Sequence, residues 1–420
     1  MNAPGTTRGQ VIIVGAGIVG IGAAHALLDD GWQVTLLERH LPARGASYGN
    51  AGAFAVSDII PLSSPGIIRQ VPGWLLDPCG PLAVRWRHLP TLAPWLWRFV
   101  RAGHPARVRT LTRAMAALLG RVDADYAPLI AAAGLTPMWR RRGALTLYPS
   151  LRARDADAAA WRSRRSFGIR CIEVAGKELA QLEPGLSAPW HQAVRVPAWS
   201  HVDDPYRFAT GLHAAALARG ARSVQATVDR IDHEHGRVRG VVLDDGQRIA
   251  ADAVVIAAGI DSDRFTRQLG LRVPLESERG YHVTLPQAGI ELNHFLQPAG
   301  EGFVILPMGD GAIRLAGTVE LASRDAPENW ARAGVLIDKA RRILPPFSTD
   351  GMSQWMGNRP SLPDTLPIIG AAPGVDRLLF ATGHGHLGLT LAATTGRLLA
   401  DLLAGRDSGI DLAPYAPTRF

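Results

Sequence analysis

The chain has 420 residues, of which 47% are hydrophobic and 20% charged, so a mostly disordered chain is excluded and at least two domains are expected. The two cysteines, Cys79 and Cys171, exclude a disulfide scaffold, argue against a zinc site and favour a reducing cytosol. The net charge of +8 is almost entirely arginine, since lysine occurs only at Lys177 and Lys339. The arginines are spread along the chain, which argues against a nucleic-acid partner and suits small anions such as carboxylates.

The first motif is a glycine-rich turn between a strand and a helix. Residues 10–14 predict a buried parallel strand, and a GxGxxG sequence follows at Gly15, Gly17 and Gly20. The first glycine permits a tight turn, the second lets the backbone approach a pyrophosphate, and the third lets helix and strand pack closely. Residues 21–30 predict the helix, whose N-terminus offers free N–H groups to a phosphate.

A second strand, predicted over residues 33–37, ends in Glu38. An acid at this place binds the ribose hydroxyls of a dinucleotide, so FAD or NAD is favoured over NADP. The apolar run over residues 11–28 contains four glycines, which argues against a membrane span or a signal peptide. No other apolar run is expected to approach membrane-spanning length. No metal site is predicted.

Two further glycine-rich segments favour a flavin. Residues 44–53 can pass under a planar cofactor and offer main-chain donors, although a solvent loop is the alternative. Near the C-terminus, a predicted strand over residues 377–381 leads through residues 382–390 into a helix over residues 391–403. No strand with a terminal acid follows, so this is not a second dinucleotide motif. A helix N-terminus here can stabilise the N1–C2=O edge of a reduced flavin.

These segments together resemble the flavoprotein amine oxidoreductases, the family of D-amino-acid dehydrogenase, D-hydroxyproline dehydrogenase, glycine oxidase and sarcosine oxidase. The resemblance runs from residue 11 to about residue 405. It rests on the N-terminal fingerprint, on residues 47–52, on the Gly-Asn-Arg-Pro sequence that begins at Gly357, and on residues 382–388. The second and last of these segments are most similar to the D-amino-acid dehydrogenase branch.

The resemblance implies an α/β fold in which a Rossmann-type, glutathione-reductase-like FAD domain is interleaved with an α+β substrate domain that contains a mixed sheet. We expect the FAD-binding domain over residues 1–60, 196–272 and 350–420. We expect the substrate-binding domain over residues 61–195 and 273–349.

The resemblance also implies a set of cofactor contacts. Non-covalent FAD is expected, because Ser47, Tyr48 and Gly49 supply neither the histidine nor the cysteine that binds flavin covalently in some members, and neither of the two cysteines lies late in the chain. The residues expected at the cofactor are Gly15, Gly17, Ile18, Val19, Gly20, Glu38, Arg39, Ser47, Asn50, Ala51, Gly52, Val228, Ala258, Gly259, Gly357, Arg359, Gly385, His386, Leu387, Gly388, Leu389 and Thr390.

Three residues are candidates for the chemistry itself. The resemblance places Arg359 as the clamp for the substrate carboxylate. Tyr281 is a candidate second partner through its hydroxyl, or else a half-buried strand aromatic; strand alternation puts Arg279 on the same face. His384 is a candidate for tuning the amine or the flavin proton, or else a packed, hydrogen-bonded loop histidine.

The implied activity is oxidation of the C–N bond of a small amino acid. The substrate would be a D-amino acid or a secondary or cyclic amine such as D-proline or D-hydroxyproline. Hydride would pass from the α-carbon to flavin N5, and the imine would hydrolyse to a 2-oxo acid and ammonia or remain as a cyclic imine. The alternatives are a glycine- or sarcosine-type oxidase that uses oxygen, an NAD-dependent dehydrogenase, and a flavoprotein without turnover.

Residues 74–113 interleave tryptophan with arginine. The tryptophans are Trp74, Trp86, Trp95 and Trp97, and the arginines are Arg85, Arg87, Arg98, Arg101, Arg107, Arg109 and Arg113. This pattern suits a membrane surface and an enzyme that passes electrons to a quinone or another acceptor, from the cytoplasm at the inner face of the cell membrane. A helical subdomain with buried tryptophans is the alternative.

Overall fold

The computed structural model describes residues 8–64, 71, 73–75, 77, 80–187, 190 and 192–420. Cys79 lies outside the described residues, and Cys171 is a free, half-buried thiol. Within the described residues, the chain forms two large sheets, two three-stranded sheets and the helices that pack against them.

The strands are β1 (Gln10–Val14), β2 (Gln33–Glu38), β3 (Ala53–Phe54), β4 (Leu82–Val84), β5 (Trp139–Arg140), β6 (Ala144–Tyr148), β7 (Ile172–Ala175), β8 (Gln192–Val196), β9 (Ser200–Val202), β10 (Arg222–Gln225), β11 (Val228–Glu234), β12 (Arg237–Leu243), β13 (Arg248–Ala250), β14 (Ala253–Ile256), β15 (Glu276–Leu285), β16 (Phe295–Pro298), β17 (Phe303–Pro307), β18 (Ile313–Leu321), β19 (Ser353–Ser361), β20 (Ile368–Ala371) and β21 (Leu378–Thr382). The helices in the described residues are α1 (Ile18–Asp29), α2 (Leu89–Ala102), α3 (Pro105–Leu119), α4 (Val122–Ala132), α5 (Leu151–Ala156), α6 (Ala158–Ser166), α7 (Gly176–Leu182), α8 (Pro205–Ala218), α9 (Ser262–Gln268), α10 (Ala331–Ala340) and α11 (Gly388–Ala404).

The first large sheet has the order β10–β2–β1–β14–β21–β20. Neighbouring strands are parallel except β20, which runs antiparallel to β21. Both faces are covered, because Val11 and Ile13 of β1 belong to the core that contains α1, α8 and α11, whereas Ile12 and Val14 pack toward the sheet β11–β12–β13. Burial on both faces explains why β1 is a continuous apolar run. The predicted α/β, Rossmann-type fold class is confirmed.

The second large sheet is mixed and has the order β19–β15–β18–β17–β16–β6–β8–β7, with β4 beside β18. β16 pairs with β6 in parallel, as β18 does with β4, and the other pairs are antiparallel. β19 lies in this sheet, although the predicted boundary assigns residues 350–420 to the FAD domain. The reason is its full antiparallel register with β15, which a sequence cannot reveal. The domain boundaries stay a prediction.

Residues 224–231 are divided between two strands, β10 and β11. The N–H of Ala226 donates to the carbonyl of Glu38 at 2.9 Å, just after the last residue pair between β10 and β2. Val228 then begins the pairing of β11 with β12. The short connection between β10 and β11 therefore leads the chain from the parallel sheet into the sheet β11–β12–β13.

Two helices from opposite ends of the chain pack against each other through glycines. A Cβ added at Gly22 of α1 would lie 2.5 Å from the carbonyl oxygen of Ala392, and one at Gly396 of α11 would lie 2.4 Å from that of Gly22. Backbone approach this close needs residues without a side chain. The contact brings the N-terminal motif and the C-terminal loop to the same side of the parallel sheet.

The expectation that no second apolar run reaches membrane-spanning length is wrong. Residues Gly385–Ala404 form a 20-residue stretch whose most apolar window has a mean hydropathy of 1.3, long and apolar enough to span a membrane by length and composition alone. About 72% of the most apolar window is buried inside the fold, as expected for a central helix that packs on α1.

Substitution of Gly396 with alanine should lower the thermal midpoint of unfolding, because the new Cβ would overlap the backbone of Gly22. Overpacking of this kind costs about 1–3 kcal/mol. Gly334→Ala in α10 is the matched control, since its Cβ would meet nothing within 4 Å and alanine has the higher helix propensity. Equal thermal midpoints for the two variants in calorimetry would contradict the proposed helix contact.

Candidate functional site between the two sheets

A cavity of about 390 Å³ lies between the carboxyl ends of the parallel strands and the mixed sheet. Its lining includes the residues that follow β1, β2, β14 and β21, together with residues of β15, β18 and β19. Ligands of open α/β sheets bind at the carboxyl ends of the strands, so this is the expected place for a cofactor. The cavity is lined by Gly15, Gly17, Ile18, Val19, Glu38, Arg39, Ser47, Asn50, Ala51, Val228, Ala258, Gly259, Tyr281, Gly357, Arg359, His384, Gly385, His386, Gly388 and Leu389.

The glycine turn after β1 has no room for side chains. Gly15 has a φ of +106°, and a Cβ there would lie 2.5 Å from the carbonyl oxygen of Ala257. A Cβ at Gly20 would lie 2.0 Å from the carbonyl oxygen of Gly15, so Gly20 packs the helix onto the turn and does not line the cavity. Helix α1 begins at Ile18 behind Gly17, whose residue type offers no side-chain cap, and Gly17, Ile18 and Val19 line the cavity.

Glu38 closes one end of the cavity. Its Oε2 accepts the N–H of Ala16 at 2.9 Å, and its Oε1 accepts that of His40 at 3.2 Å. These two bonds fix the carboxylate beside the glycine turn. Arg39 donates to Asp261 at 2.5 Å, so its charge is already paired.

The loop after β2 is held by backbone contacts. The Oγ of Ser47 accepts the N–H of Ile18 at 2.9 Å, and the side-chain oxygen of Asn50 accepts the N–H of Gly52 at 2.8 Å. Gly52 has a φ of +72° and packs away from the cavity lining. Arg314, whose pKa burial lowers to about 10, donates to the Asn50 carbonyl at 2.9 Å. The loop is therefore a fixed wall, in agreement with the cofactor interpretation of the sequence.

The C-terminal glycine-rich loop forms the opposite wall. Helix α11 begins at Gly388 without a side-chain cap, and Gly388 lines the cavity. Leu387 and Thr390 are buried outside the lining; Thr390 Oγ1 donates to the Ala53 carbonyl at 3.1 Å, which ties this helix to β3. Tyr126 donates to the Leu389 carbonyl at 2.5 Å, a contact that the sequence did not indicate.

Arg359 lies on β19, directly opposite Glu278 of β15. Its Nη1 donates to Glu278 Oε1 at 2.9 Å, and a Cβ at Gly280 would lie 2.1 Å from its Nη2, so the guanidinium rests on a glycine. Among the described residues, Nε and Nη2 of Arg359 donate to no protein group. With 24% of its side chain exposed at the cavity, Arg359 has donors available to an anion.

Glu278 is buried beside this guanidinium, and the sequence did not indicate it. Its second oxygen, Oε2, accepts from Ser361 Oγ at 2.9 Å. Burial alone would raise the pKa of Glu278, but the charges of Arg359 and His386 and the two hydrogen bonds outweigh burial and hold the pKa below its ordinary value. Glu278 is therefore a carboxylate at neutral pH and fixes the orientation of Arg359.

Tyr281 and Arg279 share one face of β15, as strand alternation predicts. The Tyr281 hydroxyl donates to Glu320 Oε2 at 2.6 Å and accepts the N–H of Asn329 at 2.9 Å, and Arg279 donates to the same Oε2 at 2.9 Å. Burial, followed by the bond to Glu320, raises the pKa of Tyr281 to about 12. The hydroxyl proton is bound within this network, Tyr281 also lines the cavity, and its role toward a substrate carboxylate stays a prediction.

The two histidines of the C-terminal loop differ in environment. His384 is buried, and its Nε2 lies 2.9 Å from Thr395 Oγ1; burial lowers its pKa to about 3, so the ring is neutral at physiological pH. This matches the packed, hydrogen-bonded alternative, although His384 also lines the cavity. His386 is partly exposed, and its Nε2 lies 3.7 Å from Asp58 Oδ2.

Trp355 is a second residue that the sequence did not indicate. It lines the cavity, its ring stacks on His282 at 5.1 Å, and a Cβ at Gly357 would lie 2.0 Å from the ring. Gly280 and Gly357 are directly paired across β15 and β19. The paired glycines thus let two planar side chains, Arg359 and Trp355, lie flat against the mixed sheet.

These observations fit FAD. Glu38 and the buried Val228 line one end of the cavity, and the glycine turn with the uncapped N-terminus of α1 suits a pyrophosphate. The uncapped N-terminus of α11 lies at the same cavity, where it suits the electron-rich edge of a flavin. The fold and the site together define a flavin-dependent oxidoreductase.

A model of the family described as FAD dependent oxidoreductase (DAO) matches residues 10–402. The chain belongs to this family, and its cofactor is FAD. The alternative of an NAD-dependent dehydrogenase does not agree with this family.

Several curated proteins are similar along the whole chain. A D-amino-acid oxidase of Bradyrhizobium diazoefficiens is 38% identical, covering 98% of this chain and 99% of that protein. D-amino acid dehydrogenase 2 of Ralstonia nicotianae is 34% identical, covering 98% of this chain and 100% of that protein. The crystal structure of glycine oxidase from Geobacillus kaustophilus has a TM-score of 0.76 at 24% identity, covering 99% of this chain and 100% of that chain, and shows the shared fold.

Glu38→Ala should weaken FAD binding by about 10–100-fold, because a charged hydrogen-bonding group at the ribose end is worth about 1.5–3 kcal/mol. The measurement is fluorescence titration of flavin-free protein with FAD. Glu178→Ala, at an exposed position in α7, is the matched control and should bind FAD like the unchanged protein.

Non-covalent attachment stays a prediction, and the same experiment tests it. Flavin-free protein should be obtainable by mild acid treatment with FAD recovered in the supernatant. Yellow colour that stays with the precipitated chain would overturn non-covalent binding. Equal FAD affinities of Glu38→Ala and Glu178→Ala would show that Glu38 does not bind the cofactor.

Proposed function

We propose that the protein oxidises the C–N bond of a small D-amino acid with bound FAD and holds the substrate carboxylate on Arg359. The observation that carries the proposal is the guanidinium of Arg359, held against Gly280 by Glu278, with free donors at the cavity that fits FAD. The names of the D-amino-acid oxidase and dehydrogenase relatives support the substrate class. Secondary and cyclic amines such as D-proline remain within the proposed class.

The reaction is a two-electron oxidation. When bound along the cavity lined by the glycine turn, Glu38 and the C-terminal loop, FAD would supply the acceptor for the two electrons and the α-hydrogen of the substrate. The neutral amine loses one proton as the C=N bond forms, and water converts a primary imine to a 2-oxo acid and ammonia. A quinone, or oxygen in the oxidase alternative, then accepts the two electrons.

The residues of the chain bind and orient rather than exchange protons. Arg359 can hold both carboxylate oxygens, so that the α-carbon takes one repeated position. Gly280 and Gly357 leave space beneath the mixed sheet for the planar groups. Because burial lowers its pKa to about 3, His384 is neutral near pH 7 and places no positive charge beside the substrate. The amine loses its proton to solvent before it is oxidised, because a protonated nitrogen has no lone pair from which the C=N bond can form.

Arg359→Ala should raise the apparent KM for a D-amino acid about 100-fold while FAD stays bound, because two charge-assisted hydrogen bonds of about 1.5–3 kcal/mol each are lost with partial compensation by water. Arg359→Lys should recover only part of the loss, since an ammonium lacks the planar pair of donors. Steady-state kinetics with a dye acceptor, together with the flavin spectrum, measures both quantities.

Loss of Arg359 also leaves Glu278 as a buried carboxylate without its ion-pair partner. The double variant Arg359→Ala/Glu278→Gln removes that charge, so any KM increase that remains is due to the loss of carboxylate binding. Arg272→Ala, at an exposed position without an ion pair in the described chain, controls for the change in net charge. An unchanged KM in Arg359→Ala would end the clamp assignment.

We further propose that the segment over residues 74–113 contacts an anionic membrane surface, which would give the flavin access to a quinone. Trp86 and Trp97 are 70% and 58% exposed, and Arg101 stacks over the Trp97 ring at 4.6 Å. Trp95 is buried and Trp74 is half-buried, which supports the alternative of a helical subdomain at those two residues. From residue 80 to residue 122 the sequence has no acid.

The charges of this surface are mostly unpaired. Arg85 pairs with Glu320 and Arg121 with Asp125. In the part of the chain that the structure describes, the remaining arginines between them make no ion pair; these are Arg87, Arg98, Arg101, Arg107, Arg109 and Arg113. Exposed aromatic rings beside unpaired arginines suit the headgroup region of an anionic bilayer.

The protein should co-sediment with vesicles that contain phosphatidylglycerol and not with vesicles of phosphatidylcholine alone. Replacement of Arg101 and Arg109 with glutamine should weaken binding by about 30-fold, at about 1 kcal/mol per charge. Trp97→Ser should weaken it further through loss of an interfacial anchor.

Arg230 and Arg272 are exposed arginines outside this surface, and their double replacement with glutamine is the matched control for net charge. Equal binding by both double variants, or no binding to anionic vesicles at low salt, would overturn the membrane proposal. Neither outcome bears on the proposed D-amino-acid oxidation.

A further inference from the structure

A second, smaller cavity of about 40 Å³ adjoins the cofactor cavity. The loop over residues 384–386 lines both cavities, and Glu278 lines the smaller one while bonding to Arg359 at 2.9 Å. The side cavity therefore begins next to the guanidinium that is proposed to hold the substrate carboxylate. Most of its other walls are apolar: Ile60, Leu62, Trp95, Phe99, Met115, Leu362 and Leu387.

Two polar groups on these walls have no partner. Trp95 is 8% exposed, and its indole Nε1 is buried without a hydrogen bond in the described part of the chain. The same holds for the hydroxyl Oγ1 of Thr365, a residue in the left-handed region with a φ of +62°. Trp95 is held in place by stacking on Phe99, with ring centres 5.3 Å apart. A buried N–H or O–H without a partner costs about 1–3 kcal/mol, so these two groups are available to a polar atom that enters the side cavity.

We propose that this side cavity receives the side chain of the substrate, and that the preferred substrates are D-amino acids with a short, uncharged side chain that ends in a hydroxyl or carbonyl oxygen. The inference rests on the proposed function and names its substrate class. The indole N–H of Trp95 donates to the side-chain oxygen, and Thr365 Oγ1 completes its hydrogen bonding. Because the substrate carboxylate lies on Arg359, its side chain extends past Glu278 into the side cavity.

The volume limits the side chain. A group the size of a water molecule needs about 10–15 Å³ of cavity, so about 40 Å³ accommodates about three or four non-hydrogen atoms. The side chains of serine and threonine are of this size, whereas an aromatic side chain is not.

The charge of the walls excludes acidic side chains. Glu278 and Asp58 both line the side cavity, and Glu278 is held ionised by Arg359 and Ser361. A second carboxylate on the substrate would be placed among like charges in a mostly apolar space. D-Aspartate and D-glutamate are therefore poor substrates in this account.

The test compares D-serine with D-2-aminobutyrate, which have side chains of nearly equal size and differ in a hydroxyl against a methyl group. In the unchanged holoenzyme, kcat/KM should be higher for D-serine. Trp95→Phe removes the N–H and keeps an aromatic ring, and Thr365→Val removes the hydroxyl and keeps the branched shape. Each should lower the ratio of the two kcat/KM values about fivefold. A ratio within one variant is insensitive to a general loss of folded or flavin-loaded enzyme.

Trp190→Phe is the matched control, because the indole N–H of Trp190 donates to the carbonyl of Arg342 in another part of the fold. The ratio of kcat/KM for D-serine to that for D-2-aminobutyrate should not change in this variant. An unchanged ratio in both Trp95→Phe and Thr365→Val, or a preference for D-2-aminobutyrate in the unchanged enzyme, would overturn the side-cavity proposal. Oxidation of other D-amino acids in that case leaves the proposed function intact. Failure of every D-amino acid to reduce the flavin would instead overturn the proposed function itself.

Discussion

The ion pair between Arg359 and Glu278 is the interaction on which the site depends. A guanidinium on a strand that faces a cavity would ordinarily sample several rotamers and lose side-chain entropy when it binds a ligand. Here the register of β15 and β19 places Glu278 opposite it, and Gly280 leaves the space in which it lies flat. Glu278 uses one donor of Arg359 and leaves the others at the cavity. The ion pair thus neutralises part of the positive charge of Arg359 but fixes the orientation of its guanidinium at the cavity.

The glycine contact between α1 and α11 explains how the site is assembled from distant parts of the chain. The pyrophosphate end of the cavity comes from the first 40 residues, and the opposite wall comes from residues 384–389. The close approach of the two helices at Gly22 and Gly396, together with the pairing of β1, β14 and β21, places the N-termini of α1 and α11 at one cavity. The buried, apolar character of α11 follows from the same contact and accounts for its resemblance in composition to a membrane helix.

Local patterns predicted the parts of the site that local chemistry determines. The glycine turn, Glu38 and the loop before α11 could be read from spacing, because a tight turn, a terminal acid and a helix start each need particular residue types. Glu278, Trp355 and Trp95 could not be found in this way, because their roles depend on strand register and on contacts between segments far apart in sequence. Tyr281 shows the same limit: alternation placed it on the correct face, but its bond to Glu320 depends on the pairing of β15 with β18. The division of residues 224–231 into two strands likewise depends on pairing partners in two different sheets.

A single anaerobic experiment tests the cofactor, the cationic anchor for the substrate carboxylate and the handedness of the substrate together. The purified yellow protein is mixed without oxygen with D-alanine and, separately, with L-alanine, while the visible absorption of the flavin is followed. We expect D-alanine to bleach the flavin and L-alanine to leave it oxidised. A flavin that remains oxidised with D-alanine and with a wider set of D-amino acids, or that L-alanine bleaches equally fast, would contradict the account.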